Sequence, residues 1–237
     1  MPDQLIGPLI FRNTHPNKKE FGCILGAAIG DALGEIAQHK NWTSISWSYI
    51  SDKVDMLSYT DDTAMTIAVL ETLIENGGVD PEFLGRRLHI NWALESDRGY
   101  SSGPPSIFFN VEKKSITYIE SAEFVNRILY GPNGSRGDGA AMRAHPIGIY
   151  HLGTVDTRNF IRDIYNASVV THINPIAIDG AILVAGSIQY FGMVSADSPI
   201  DIDSYLTNIS QHLKTNEMTE ALEKALEFVK SNKKRAM

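Results

Sequence analysis

A glycine recurs at every fourth position of one stretch, which reads Gly22-Cys23-Ile24-Leu25-Gly26-Ala27-Ala28-Ile29-Gly30-Asp31-Ala32-Leu33-Gly34. The apolar residues between the glycines follow a helical pattern, and four residues are slightly more than one turn of an α-helix. Each glycine inside a helix costs about 1 kcal/mol relative to alanine, so the pattern requires compensation. The glycines therefore predict a smooth helix face that packs closely against another backbone. Asp31, on a neighbouring face, is a carboxylate among apolar residues and predicts a polar partner.

Helix signals recur along the rest of the chain. Asp80-Pro81-Glu82 and Asn174-Pro175 each place a capping side chain before a proline that suits the first helical position. Apolar residues at helical spacing predict three more helices, one after Asp156, one after Asp203 and one over residues 217–230. The chain therefore has the pattern of a helical protein.

Three segments lack the helical pattern. Residues 45–49 alternate with the period of a β-strand, but a single strand would have no partner, so we interpret them as an extended loop. Residues 99–106 and 131–139 are rich in glycine and proline and predict long irregular connections. Since no repeat and no linker is evident, we expect one domain over residues 20–237 after an N-terminal arm at residues 1–19.

Composition and charge restrict the class of protein. The chain has 237 residues, of which 43% are hydrophobic and 21% charged, so it can bury a core. Its net charge of −7 argues against binding to nucleic acid or to an anionic membrane and suits a bound divalent cation better. Cys23 is the single cysteine, which excludes an intrachain disulfide and favours a reducing compartment; we interpret it as a buried packing residue. The N-terminus does not resemble a signal peptide, and Asp31 and Asp179 interrupt the longest apolar stretches, so we expect a cytoplasmic protein outside the membrane.

Two acids and two hydroxyls stand together in Thr60-Asp61-Asp62-Thr63, just before an apolar helical pattern over residues 64–70. One interpretation is a helix N-cap, in which each acid stabilises the helix dipole by about 0.3–1 kcal/mol. A cap needs only one oxygen, however, and adjacent carboxylates repel each other more strongly when they are shielded from water. A hard cation such as Mg²⁺, Mn²⁺ or Ca²⁺ would remove that repulsion. Both interpretations, a helix cap and a metal site, stay open.

A second polar segment reads Gly131-Pro132-Asn133-Gly134-Ser135-Arg136-Gly137-Asp138-Gly139 and leads into an expected helix at residues 140–143. Glycines before a helix let backbone N–H groups converge on an anion without obstruction by side chains. A flexible surface loop is the alternative. The spacing matches neither a Walker A motif nor a dinucleotide-binding GxGxxG, which disfavours ordinary nucleotide-binding folds.

Two shorter segments carry isolated polar or aromatic side chains. His172 stands at a junction between two predicted helices, where a histidine is more often a structural hydrogen-bonding residue than a ligand contact. Tyr100 lies in the polar segment 97–104 and offers a ring for stacking. Neither residue predicts a function by itself.

Together and in this order, these segments resemble the ADP-ribosylglycohydrolase family, also called the dinitrogenase-reductase-activating glycohydrolase family. The resemblance extends over residues 21–190 as separate short matches. The matching segments are Gly30-Asp31-Ala32-Leu33-Gly34, Tyr59-Thr60-Asp61-Asp62-Thr63-Ala64-Met65, Gly137-Asp138-Gly139-Ala140-Ala141-Met142-Arg143 and Thr171-His172. A further segment, Asp97-Arg98-Gly99-Tyr100, looks most like the branch that removes ADP-ribose from serine and hydrolyses poly(ADP-ribose).

The resemblance implies an all-α fold, a single compact orthogonal helical bundle, with Mg²⁺ at the bottom of an ADP-ribose cleft. One or two Mg²⁺ ions, or Mn²⁺ in their place, would be held by Thr60, Asp61 and Asp62, and the two aspartates would also be catalytic. The substrate-binding residues that it implies are Asp31, Tyr100, Gly134, Ser135, Arg136, Gly137, Asp138, Gly139 and His172. The expected function is hydrolysis of ADP-ribosyl linkages, with ADP-ribose or an ADP-ribosylated protein as partner.

The sequence departs from the family pattern in two places. Gln38 stands where the family usually has a catalytic glutamate, and a glutamine can hydrogen-bond a water but cannot take its proton. Glu35, about one turn earlier on the same side of the helix, is the carboxylate that could substitute. The family's C-terminal Asp-x-Asp-Thr element has no equivalent; its nearest approximation, residues 201–204, is interpreted as a helix N-cap.

These departures leave several expectations open. The chain is a C-terminally short member of the family, or another polypeptide completes its site, or it has lost catalysis and keeps ADP-ribose binding or a structural role. Outside the family, a helical Mg²⁺-dependent nucleotide phosphohydrolase that uses Asp61 and Asp62 is a further alternative.

Overall fold

The computed structural model describes residues 18–38, 48, 57–154, 157–195 and 197–233. This part of the chain is helical. Its elements are α1 (Lys18–Ala37), α2 (Asp61–Asn76), α3 (Pro81–Leu94), α4 (Gly103–Lys114), α5 (Tyr118–Tyr130), a 3₁₀ turn (Asp138–Ala140), α6 (His145–Tyr150), α7 (Thr157–Val169), α8 (Pro175–Met193), α9 (Ile202–Ser210) and α10 (Asn216–Lys233).

The predicted capping residues begin their helices in the structure. Asp80 accepts a hydrogen bond from the N–H of Phe83 at the start of α3, and Asn174 accepts one from Ile176 at the start of α8. Asp201 caps α9 by accepting from the N–H of Ser204, which confirms that residues 201–204 form a helix N-cap. The all-α prediction is therefore confirmed, and its helix starts have the expected local cause.

The apolar core is built around α2. Met65, Val69 and Leu73 of this helix are almost completely buried. They belong to one cluster with buried side chains from α3 to α8, including Leu84, Ile107, Val125, Ile147, Ile164 and Ile182. Because α2 also begins with Asp61 and Asp62, the core holds the acidic helix start in a fixed place.

Helix α1 is different, because Ala32 is its one buried residue. Phe21, Leu25 and Ile29 are 58%, 45% and 48% exposed. A Cβ atom added at any glycine of the 22–34 stretch would meet no described atom within 4 Å. The predicted close packing of this glycine face is therefore not found among the described residues. Cys23, predicted to be buried, is half-exposed.

Two local predictions differ from the structure, and two others fall on residues outside its described part. Residues 103–106, expected in an irregular segment, form the first turn of α4, where Pro104 and Pro105 are tolerated because the first N–H groups need no intrahelical partner. The helix expected at residues 140–143 is replaced by the 3₁₀ turn and a further turn before α6. Residues 45–47 and 49, interpreted as extended loop, and arm residues 1–17 lie outside the described part of the chain.

Helix α8 has the length and composition of a membrane span, with mean hydropathy 1.4. It packs against α6, α7, α9 and α10 in the structure. Asp179 in this helix is fully buried and accepts hydrogen bonds from Lys214 and Thr215, just before α10. These contacts are typical of a core helix in a folded domain.

Candidate functional site

A cleft of about 960 Å³ opens between α1, the start of α2 and the loop that precedes the 3₁₀ turn. It collects most of the predicted site residues from four separate parts of the sequence. Those that line it are Asp31, Glu35, Gln38, Thr60, Asp61, Asp62, Ser135, Gly137, Asp138, Gly139 and His172. The sequence motifs therefore converge on one cavity.

Asp31 connects α1 to the start of α2. Its carboxylate oxygen Oδ2 accepts from the backbone N–H groups of both Thr60 and Thr63, at 2.9 and 3.2 Å. The two carboxylate oxygens also accept from the hydroxyls of the same two threonines, each at 2.6 Å. Asp31 thus acts as a cap for α2 that is supplied by another helix, which satisfies N–H groups that have no partner within α2.

The acidic pair lies half-buried in the first turn of α2. Burial raises the pKa of Asp61, and the carboxylates of Asp31 and Asp138 raise it further, while its own backbone and Arg143 oppose the shift. Burial and the three carboxylates of Asp31, Asp61 and Asp138 raise the pKa of Asp62 to about 6, and all of these causes act in the same direction. The cleft therefore carries an excess of negative charge on hard oxygen atoms.

The glycine loop, residues 131–139, is held in place by two buried asparagines. Asn126 of α5 accepts from the N–H of Ser135 and donates to the carbonyl of Thr171. Asn174 donates to the carbonyl of Gly134 at 3.2 Å. Gly134 has φ +76°, and a Cβ there would lie 2.4 Å from Cγ1 of Ile173. The loop at Gly134 and Ser135 is therefore held by buried side chains, which argues against the alternative of a flexible surface loop.

Arg143 is completely buried beneath the glycine loop. Its guanidinium donates to the carbonyls of Gly139 and Ala167 at 2.7 and 2.8 Å and to the hydroxyl of Thr171 at 2.6 Å. Burial lowers its pKa to about 10, and the charge of Asp61 opposes that shift. Arg143 thus stays protonated at neutral pH and connects the loop to the segment after α7.

His172 lies against the glycine loop and is 8% exposed. A Cβ on Gly139 would lie 2.6 Å from its Cε1 atom, so the absent side chain of Gly139 makes room for the imidazole. Burial and the positive charge of Arg143 lower the pKa of His172 to about 3. The ring is therefore neutral at physiological pH.

Three predicted substrate-binding residues do not line the cleft. Tyr100 packs against the core, and its buried hydroxyl has no hydrogen-bond partner among the described residues. Gly134 lies behind the loop surface, as its contacts with Ile173 require. Arg136 is 60% exposed and pairs with Glu217 of α10 at 2.5 Å. The role of these three residues in substrate binding stays a prediction.

Several lining residues were not singled out from the sequence. Tyr130 ends α5 and places its ring at the cleft. Arg98 also lines it and lies over the ring of Tyr59, with its guanidinium carbon 4.0 Å from the ring centroid, while Glu95 accepts from both side chains. The Arg98 carbonyl accepts from the N–H of Asp61 at 2.7 Å, so this cluster fixes the acidic turn from the other side. The match of segment 97–100 to the family was the available signal for Arg98.

The fit of a divalent cation depends on the donor atoms. In the described ranges, no three His, Cys, Asp or Glu side chains form a group that could hold a metal. The available donors are nonetheless of the right kind, because Asp61 and Asp62 supply carboxylates and the Thr60 hydroxyl gives its proton to Asp31 and keeps lone-pair capacity. Mg²⁺ commonly binds through one or two carboxylates and keeps several waters. These residues therefore fit part of a Mg²⁺ site.

Comparison with known sequences supplies the family. The sequence model of the ADP-ribosylglycohydrolase family matches residues 13–237. The chain belongs to the ADP-ribosylglycohydrolase family. A solved structure of an ADP-ribosylglycohydrolase-related protein complex has the same fold, with a TM-score of 0.60 and 16% identity, over 87% of this chain and 66% of that one.

Several relatives are named ADP-ribosylhydrolase ARH3. The protein from Xenopus tropicalis is 28% identical over 201 residues, which cover 81% of this chain and 55% of that protein. The one from Mus musculus is 29% identical over 178 residues, or 69% of this chain and 46% of that protein. The Escherichia coli protein YegU, whose function is uncharacterized, is 27% identical over 84% of this chain and 60% of its own. The chain spans about half the length of the ADP-ribosylhydrolase relatives it matches.

Proposed function

We propose that the protein hydrolyses ADP-ribosyl linkages on modified protein side chains or in ADP-ribose polymers, with assistance from Mg²⁺ or Mn²⁺. The observation that carries this proposal is the pairing of two chemically different walls in one cleft. One wall presents Asp61 and Asp62, and the other presents the glycine loop with His172. Membership of the family supports the reaction class.

The glycine loop suits the anionic part of such a substrate. Gly137 is exposed and Gly139 half-buried, and neither carries a side chain that would obstruct a pyrophosphate; the Gly137 N–H donates to the Ser135 hydroxyl, and Arg143 lies directly beneath the loop. Backbone donors and a buried cation favour an anion in a protein whose net charge is −7. The ring of Tyr130, also at the cleft, offers a surface on which an adenine base can stack.

The acidic wall suits the sugar end of the substrate. Asp61, Asp62 and Thr60 would hold the cation, which when bound orients the ribose hydroxyls and lowers the pKa of a nearby water. Hydrolysis adds that water to the anomeric carbon, breaks the bond to the modified side chain and passes a proton to the leaving group. Glu35 lines the cleft on α1 and is the carboxylate that could accept a proton from the water.

Release of free ADP-ribose tests this proposal. We expect turnover of serine-modified or arginine-modified peptides with Mg²⁺ or Mn²⁺ present, and loss of turnover when Asp61→Asn and Asp62→Asn are combined. Asp97→Asn is the matched control, because Asp97 lies exposed on the same cleft. Equal release by the wild type and the double variant would contradict the proposal.

One observation favours a second function, which is binding of ADP-ribose without hydrolysis. Gln38 lines the cleft, so the side chain at the family's usual glutamate position faces the site but cannot accept a proton. Calorimetry with ADP-ribose separates the two functions. Binding without turnover supports a non-catalytic reader, whereas turnover that is lost in Glu35→Gln supports hydrolysis with a displaced base.

A further inference from the structure

The hydroxyl of Thr171 stands between a buried arginine and a buried histidine. It lies 2.6 Å from a terminal nitrogen of Arg143 and 2.8 Å from Nδ1 of His172. Thr171 is 4% exposed, and Arg143 is completely buried. Since water has little access to the three groups, the direction of each hydrogen bond is decided by what each group can donate and accept.

The first hydrogen bond has a fixed direction. A guanidinium carries donors and no acceptor, so Arg143 must donate to the Thr171 oxygen. The other terminal nitrogen of Arg143 is occupied by the carbonyl of Gly139, and the same nitrogen that contacts Thr171 also donates to Ala167. These carbonyls hold the guanidinium in place, so the geometry at Thr171 does not depend on a ligand.

The second hydrogen bond follows from the first. The Thr171 hydroxyl has one proton, and the neighbouring acceptor within reach is Nδ1 of His172. If Nδ1 carried the proton instead, the hydroxyl would accept twice and its own proton would be left without a partner in a buried place, at a cost of about 1–3 kcal/mol. The arrangement therefore favours the tautomer of His172 in which Nδ1 is bare and Nε2 carries the proton.

The Nε2 atom of His172 faces the glycine loop. A Cβ added at Gly139 would lie 3.2 Å from Nε2, and one added at Gly137 would lie 3.7 Å from it. The edge of the ring therefore occupies space that side chains at these two positions would fill. Both glycines and His172 line the cleft. With a proton on Nε2, His172 therefore points a hydrogen-bond donor toward the backbone of the glycine loop.

We propose that Arg143 and Thr171 are positioning residues that set the tautomer of His172, so that its Nε2–H donates to an anionic oxygen of the ligand bound at the glycine loop. The ligand class, a phosphate or pyrophosphate ester, rests on the proposed function; the tautomer does not. The fully buried Arg143 thereby acts on the ligand through Thr171 and His172 as well as through its charge.

This arrangement differs from a charged histidine. The low pKa of His172 keeps the ring neutral, so a donor at Nε2 requires the correct tautomer and not an extra proton. A neutral donor also avoids placing a second cation beside Arg143, where like charges would repel each other. His172 itself is therefore expected to add no pH dependence to anion binding between pH 5 and pH 8, whereas Asp62, with a pKa of about 6 in the same cleft, adds its own.

Nitrogen NMR of the ligand-free protein tests the tautomer directly. We expect ¹⁵N shifts of the neutral Nε2–H form for His172 in the wild type, assigned by comparison with His172→Gln. The Thr171→Val variant removes the hydroxyl at nearly constant volume, so the bare Nδ1 loses its hydrogen-bond donor and its ¹⁵N resonance is expected to move, while Thr171→Ser keeps the wild-type pattern. A wild-type spectrum of the Nδ1–H form, or no change in Thr171→Val, would overturn the proposal.

Calorimetry then tests the consequence for binding. We expect Thr171→Val to weaken binding of ADP-ribose about tenfold and Thr171→Ser to bind within about twofold of the wild type, because one charge-assisted hydrogen bond is at stake. Equal affinity for Thr171→Val would contradict the positioning role of the Thr171 hydroxyl. If Thr171→Val does not fold, the wild-type spectrum and Thr171→Ala decide the same point. Because the NMR measurement contains no substrate, it fails or succeeds independently of the hydrolase activity.

Discussion

Two glycine-rich segments border the same cleft and use glycine for opposite reasons. On α1 the glycines of the 22–34 stretch have no described atom within 4 Å of an added Cβ. In the glycine loop, Gly134 and Gly139 would bring a Cβ within 2.4 Å of Ile173 and 2.6 Å of His172. Among the described residues, a similar composition therefore marks an uncovered helix face in one place and a closely packed turn in the other. The loop side of the cleft is built by buried side chains, whereas α1 has one buried residue and is joined to other helices by hydrogen bonds of Asp31 and Lys19.

The largest expected effect is at Gly134. Substitution by alanine forces a side chain into φ +76° and against Cγ1 of Ile173. Backbone strain and overpacking together are expected to cost about 3 kcal/mol of the free energy of unfolding, measured by chemical denaturation. Gly153→Ala is the matched control, since Gly153 has φ +72° but no described neighbour within 4 Å. Equal losses at both positions would show that packing behind the loop contributes nothing.

The contrast between the two glycine-rich segments also explains which features of the fold and of the site could be predicted from the sequence. Helix starts were predictable because capping is local: Asp80, Asn174 and Asp201 each accept from an N–H two or three residues later. The contacts of a glycine are long-range, and a spacing of four cannot tell whether another helix covers the face. The cleft itself followed from motif order, but Arg143 could not be placed, because its partners lie up to 78 residues away along the chain, at the Met65 sulfur.

Asp31 is where the attachment of α1 can be tested. Asp31→Asn removes the charge and one of the two acceptor oxygens, so it keeps an oxygen at the N–H groups of Thr60 and Thr63 only by turning its NH2 group toward the Thr60 hydroxyl. We expect a loss of about 2 kcal/mol, concentrated in α1, because hydrogen bonds to a charged group are worth about 1.5–3 kcal/mol. Hydrogen exchange of amides 18–37 measures it, with the buried amides of α2 as internal reference. The control is Asp201→Asn, which keeps an N-capping side chain on α9. Unchanged protection of α1 would mean that other contacts attach this helix.

The pH dependence of the free energy of unfolding tests the environment of Asp62, on the acidic wall of the cleft. Its folded pKa of about 6 lies above the ordinary value of 3.8, so between these values the folded protein binds the proton and the unfolded chain does not. Wild-type stability is therefore expected to fall as pH rises through this window, and Asp62→Asn should be the more stable protein at pH 7. After allowance for solvent screening of a half-buried group, the difference is about 1 kcal/mol.

Melting curves at pH 4 and pH 7 measure this difference, which should shrink toward pH 4. Added Mg²⁺ should raise the wild-type melting temperature at pH 7 and leave that of Asp62→Asn nearly unchanged, because a ligand stabilises the folded state in proportion to its binding. Asp97→Asn serves as the control for loss of a charge at the same cleft. If Asp62→Asn were less stable than the wild type at pH 7 without metal, the neighbouring carboxylates would not be destabilising the charged form of Asp62.

The smallest change in the free energy of unfolding is expected at Gly26. The sign of this change tests the difference between the two glycine-rich segments. Gly26 lies inside α1 with no described atom near its missing side chain. Alanine there should raise the free energy of unfolding by about 0.5–1 kcal/mol, because it restricts the unfolded chain and favours the helix. The paired variant Gly139→Ala should lower it, since the new Cβ meets the His172 ring. Chemical denaturation measures both. If Gly26→Ala were destabilising instead, another part of the protein would have to cover the glycine face of α1 in solution. The α1 side of the cleft would then be closely packed, as the glycine loop is.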